Sequence, residues 1–108
     1  MRRAHEETVV LAREAEEKAV RALQKTDRIK STTNETAQQV ARAARDAAQT
    51  AVNKALEAVE QAYDALEEQE SKTATEKMKQ AAQKAREAKA WADMAARAAK
   101  KANTLSLC

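Results

Sequence analysis

Residues 36–68 read TAQQVARAARDAAQTAVNKALEAVEQAYDALEE, three successive eleven-residue blocks in which alanine returns every three or four positions. That spacing is one face of an α-helix. The stripe runs Ala37, Val40, Ala44, Ala48, Ala51, Ala55, Val59, Ala62, Leu66. Upstream, Leu11, Ala15, Ala19, Ala22, Thr26 and Ile29 repeat the pattern, and downstream Met78, Ala81, Ala85, Ala88, Ala92, Ala95, Ala99 and Ala102 repeat it again. Along the first two stripes the steps average about 3.6 residues, nearer an eleven- than a seven-residue repeat. Helices that pack nearly straight, without a strong left-handed supercoil, are expected.

Two polar stretches interrupt the pattern, Thr26–Asn34 and Glu68–Thr73. Each holds a helix-start signal of the form Ser/Thr-x-x-Glu, Thr32 with Glu35 and Thr73 with Glu76. In such a box the hydroxyl accepts from the third helical N–H and the glutamate reaches back to the cap N–H. Three helices follow, over about 3–29, 33–69 and 74–103.

Composition agrees. Alanine supplies 28 of the 108 residues, while Gly, Pro and Phe are absent, which removes the usual means of tight turns, phosphate loops and strand bulges. With 34% charged and 2% aromatic residues the chain resembles long helices and is poor material for a sheet. Disorder competes at such low hydropathy, but a net charge of only +3 and the apolar period favour a folded chain. Short connections make consecutive helices antiparallel neighbours. The chain therefore reads as one all-α domain over residues 1–108, an elongated antiparallel three-helix bundle with an alanine-rich core.

Charge supports that arrangement. Residues 1–30 carry 8 basic and 6 acidic side chains, 31–70 carry 3 and 8, and 71–108 carry 9 and 3. An acidic middle helix favours two basic neighbours, although each exposed pair contributes only about 0–1 kcal/mol. Folding the chain near residues 31 and 71.5 places Val52 opposite both Val10 and Trp91, Leu23 near Val40, and Met78 against Ala65 and Leu66. The middle helix is the longest, and the first runs out opposite residue 60. Tyr63, Leu66 and Met78 then sit at a tip covered by two helices only. These three are the candidate contacts for a protein partner or a second copy.

Little else carries chemistry. His5 is the only histidine and lies near a terminus; Glu6 and Glu7 beside it read as first-turn acids. The chain has no Cys-x-x-Cys, no His-Glu-x-x-His and no glycine-rich loop. No catalytic set, cofactor, metal or small-molecule substrate is expected. Glu57, Glu60, Asp64, Glu67, Glu68 and Glu70 read as a charge-balanced tip beside Lys72, Lys77 and Lys79. The basic third helix, with Lys84, Arg86, Lys89, Arg97, Lys100 and Lys101, has a single aromatic, Trp91, and is read as a solvated face rather than a nucleic-acid surface. Membrane-surface binding would draw on Val9, Val10, Leu11, Val20 and Leu23, which the bundle itself needs, so it is not expected of the closed form. There is no run of 18 apolar residues to span a bilayer and no secretory h-region behind Met1-Arg2-Arg3. Cys108 is the last residue and reads as a free or boundary thiol, with cross-linking of a dimer as the alternative.

The helices rich in alanine and charge, such as AAQKAREAKAWADMAARAAKKA at 81–102, resemble the alanine-rich surface proteins of trypanosomes, whose ectodomains are elongated three-helix bundles. That resemblance implies a membrane-anchored coat or receptor-like protein at the cell surface. The block TAQQVARAARD at 36–46 is similar to the eleven-residue repeat of late embryogenesis abundant proteins, which implies a desiccation protectant. The expected function is a non-enzymatic structural or interaction module, with a stress protectant or a reversible lipid-binding amphipathic protein as the alternative.

Overall fold

A computed structural model describes residues 2–27, 29, 34–67 and 72–107. It is an all-α three-helix bundle: α1 spans Arg2–Asp27, α2 Glu35–Glu67 and α3 Lys72–Ser106, each packed against the other two. The bundle measures 56 × 16 × 15 Å. The first helix starts beside the α2–α3 end of the rod, where His5 meets Ala62, and α3 finishes beside the start of α2, where Leu105 meets Asn34.

The core is built almost wholly of methyl groups. Among the described residues 27 are buried; 22 of these are alanine, and the others are His5, Thr8, Thr26, Ile29 and Met78. In α1 the buried positions run His5, Thr8, Ala12, Ala15, Ala19, Ala22, Thr26. In α2 the seam is Ala37, Ala41, Ala44, Ala48, Ala51, Ala55, Ala58, Ala62, Ala65, and in α3 it is Ala74, Met78, Ala81, Ala85, Ala88, Ala92, Ala95, Ala99, Ala102. Steps of three and four alternate without exception along each seam, an average of about 3.5 residues. This corrects the predicted eleven-residue spacing: the buried positions keep a seven-residue repeat, the period from which coiled coils are built.

The correction has a steric origin. Val40, Val59 and Leu66 were placed on the α2 stripe for their bulk, yet Ala41, Ala58 and Ala65 are buried in their stead. Where three alanine faces meet, backbones come close together, and little room is left between them for a larger side chain. The larger groups lie over the seam's edges: Leu11, Leu23, Val52, Val59 and Trp91 flank the central cluster, and Val40 and Leu105 flank the cluster of Ile29, Ala37, Ala41 and Ala102. Alanine loses no rotamer entropy on burial and has the highest helix propensity, so a thin core is offset locally.

Register differs from the predicted fold-back as well. His5 lies against Ala62, where a fold centred on residue 31 would set it opposite Glu57. The displacement of five residues moves α1 by somewhat more than one turn toward the α2–α3 tip. Ile29 takes the place vacated beside Ala37 and Ala41. Val10 consequently does not oppose Val52; it stands two residues before Ala12 on the outer face and is 54% exposed. Leu23 and Val40 likewise flank different clusters. The longest helix is α3, with 35 residues against 33 for α2 and 26 for α1.

The helix starts also depart from the predicted boxes. Asn34 caps α2, its Oδ1 accepting from the Ala37 N–H at 3.1 Å, while its Nδ2 donates to the Leu105 carbonyl at 3.2 Å. One amide thus ties the first turn of α2 to the last turn of α3, which runs to Ser106, past the predicted end at residue 103. Thr32 lies outside the described residues. Lys72 already belongs to α3, so Thr73 stands within the first turn instead of capping it.

Candidate interaction surface

The predicted contact residues separate. Met78 is 5% exposed, packed with Ala62, Ala65 and Ala81 and covered by Val9 of the displaced α1. It belongs to the core, and the tip is closed by three helices at that level, contrary to the expected two. Leu66 is half-buried and Tyr63 is 48% exposed.

His5 accounts for the closure. It is 8% exposed, and its Nδ1 lies 3.1 Å from the Ala62 carbonyl. A carbonyl only accepts, so Nδ1 carries the proton. The imidazole meets the Tyr63 ring edge to face, with centroids 4.8 Å apart and planes at 71°. This histidine, set aside in the sequence as a terminal residue, anchors α1 to α2. A signal was present: His5 continues the Thr8, Ala12, Ala15 seam by one further step of three.

The same contact fixes which side of α2 faces α1. Leu56 lies seven residues before Tyr63 on that side and is 50% exposed; Val52, Val59 and Leu66 edge the groove beneath it. On the opposite side of α2 the groove toward α3 is bridged by Lys54–Glu87 at 3.1 Å and Glu57–Lys84 at 2.6 Å. The α1–α3 groove is bridged by Lys18 and Asp93. Trp91 packs against the central cluster with Ala47, a buried alanine off the seam. These ion pairs all end on α3, which leaves the α1–α2 groove with the apolar surface.

Electrostatics at the bridges is simple. The hydrogen bond from Lys18 holds the Asp93 carboxyl below its ordinary value against the opposing effect of burial, and the hydrogen bond from Lys84, followed by its charge, does the same for Glu57. A carboxylate with a depressed folded pKa adds stability that is present above its unfolded pKa and is lost as pH falls through the folded one. The melting temperatures of the native chain and of Glu57→Gln are therefore expected to differ slightly at neutral pH and to converge in acid, once pH has fallen through the lowered folded value. Circular dichroism melts across that range check it, and a constant offset down to acid would contradict the assignment.

Among the described residues no group of three or more His, Cys, Asp or Glu side chains is placed to hold a metal ion. No described helix is long and apolar enough to cross a membrane. The depressions are open. One of 460 Å³ is lined by Arg13, Glu16, Glu17, Val20, Arg21 and Gln24, all from the single helix α1. Another, of 140 Å³, lies between Thr26 and Ile29 on one side and Gln38, Ala41, Arg42 and Arg45 on the other. Comparison with protein-family models, with curated proteins and with solved structures finds no match to this chain.

Proposed function

We propose that the chain is a non-enzymatic structural and interaction module, a helical coiled-coil rod that holds its two ends apart and offers its flank to a protein partner. The observation that carries this is the seam: alanine at nearly every buried position yields a body 56 Å long and only about 16 Å across. Its polar side chains support the same reading, since they pair between helices along the rod rather than converge on a concave site. Placement at a cell surface rests on the resemblance of the alanine-and-charge helices to trypanosome surface proteins.

The rod is tested in dilute buffer. A helical far-ultraviolet spectrum, a single cooperative thermal transition and X-ray scattering with a longest dimension near 56 Å are expected. A coil spectrum would overturn the rod and favour the desiccation-protectant reading, in which helix forms only on drying.

A further inference from the structure

The α1–α2 groove carries exposed large apolar groups in the half of the rod toward the α2–α3 tip. Leu56 and Tyr63 stand half-exposed above the edge formed by Val52, Val59 and Leu66. Val20 of α1 adds to it: it lies two residues, roughly 200° around the helix, from Lys18, which pairs with α3, so it points away from α3.

The charges along this side of α2 are ordered. Arg45, Leu56 and Glu67 are spaced eleven residues apart, about three turns, and so lie on one face with roughly 16 Å between neighbours. Arg45 lines the depression against Thr26 and Ile29, which puts it on the α1 side as well. The line through these three residues therefore runs basic, apolar, acidic, with the exposed Glu60 one turn beyond Leu56. Neither Arg45 nor Glu67 takes part in an ion pair among the described residues.

We infer that this face binds a second copy of the chain, antiparallel, about a two-fold axis at Leu56. That axis sets Leu56 on Leu56, Tyr63 across from Gln49, and Arg45 of each copy opposite Glu67 of the other. A two-fold interface requires a patch that complements itself, and equal spacing of opposite charges about an apolar centre meets that requirement. A parallel pairing brings Arg45 to Arg45 and Glu67 to Glu67, and like charges disfavour it. The inference deepens the proposed role as an interaction module and rests on it for a folded rod.

Sedimentation under reducing conditions, so that Cys108 cannot cross-link, provides the test. The mass is expected to rise with concentration from 11.9 kDa toward twice that value. Leu56→Asp, at a half-exposed position, should remain helical and stay monomeric. Arg45→Glu and Glu67→Arg should each weaken dimerisation by about tenfold or more, and the double exchange should restore it. A chain that is helical but monomeric up to about 1 mM overturns the dimer while leaving the rod intact. A dimer that survives Leu56→Asp, or a double exchange no tighter than the single variants, overturns this interface. A coil spectrum fails at the earlier step, the rod itself.

Discussion

Replacing Ala51 by aspartate is expected to lower the melting temperature by about 15–25 °C, from a destabilisation of about 3–5 kcal/mol. Ala51 has no exposed surface, stands mid-seam in α2, and has only alanine seam neighbours at Ala48 and Ala55. A carboxylate there is surrounded by methyl groups, the Lys54 one turn along is already paired with Glu87, and aspartate is too short to carry its charge out to water. Aspartate is also a poorer helix former, which Ala90→Asp on the exposed face of α3 isolates: that control should lose no more than about 3 °C. The difference between the two variants measures burial alone. Desolvation raises the pKa of the introduced carboxyl in the folded state. The penalty is therefore full above that raised value and shrinks as pH falls through it, so the variants should converge in acid. Equal melting temperatures at neutral pH would mean that the alanine seam is not closed.

Met78→Ala is expected to cost about 2 kcal/mol and about 10 °C, near the lower end of the range for large-to-small core changes. Met78 is the one bulky side chain on the α3 seam, and it fills the tip beside Ala62, Ala65 and Ala81. Its loss leaves a space that α1 can partly close, because the seam on both sides is already spaced for alanine. Met78→Leu, of similar volume, should cost less than about 1.5 kcal/mol. Were the tip covered by two helices only, Met78 would be a surface residue and truncation would change stability by no more than about 0.5 kcal/mol. Thermal melts of the two variants separate these cases.

Helix number, order and the alanine character of the core follow from the amino-acid sequence because they depend on local patterning. Alanine at three- and four-residue steps, with no Gly or Pro, admits only long helices. What patterning does not set is which of two adjacent residues turns inward. Hydrophobicity favours Val40 over Ala41 and Leu66 over Ala65, yet interhelical distance decides the matter, and close backbones select the smaller side chain. That choice at three places in α2 changes the apparent repeat from eleven residues toward seven. The displacement of α1 depends on long-range contacts, namely His5 with Ala62 and Tyr63, and Ile29 with Ala37, Ala41 and Ala102. Of the candidate site, Tyr63 and Leu66 remain at a surface and Met78 does not, because burial of Met78 depends on where α1 ends. Leu56 lies off the predicted α2 stripe, but only the contact of His5 with Ala62 and Tyr63 shows that its side of α2 faces α1.

An odd number of antiparallel helices puts the chain's way in and its way out at opposite poles, Arg2 beside the α2–α3 end and Leu107 beside the start of α2. A pull on those two points runs parallel to the long axis. Under such tension the interfaces are loaded in shear, all rows at once, and cannot be peeled apart row by row from one end. The smooth methyl seam supplies little interlocking against sliding, so the resistance falls to the groups that cross between helices: His5 with the Ala62 carbonyl, Lys18 with Asp93, Lys54 with Glu87, Glu57 with Lys84, and the Asn34 amide that joins two of the helix ends. Side chains that contribute modestly to thermal stability thereby become the fasteners that set how the rod yields to force.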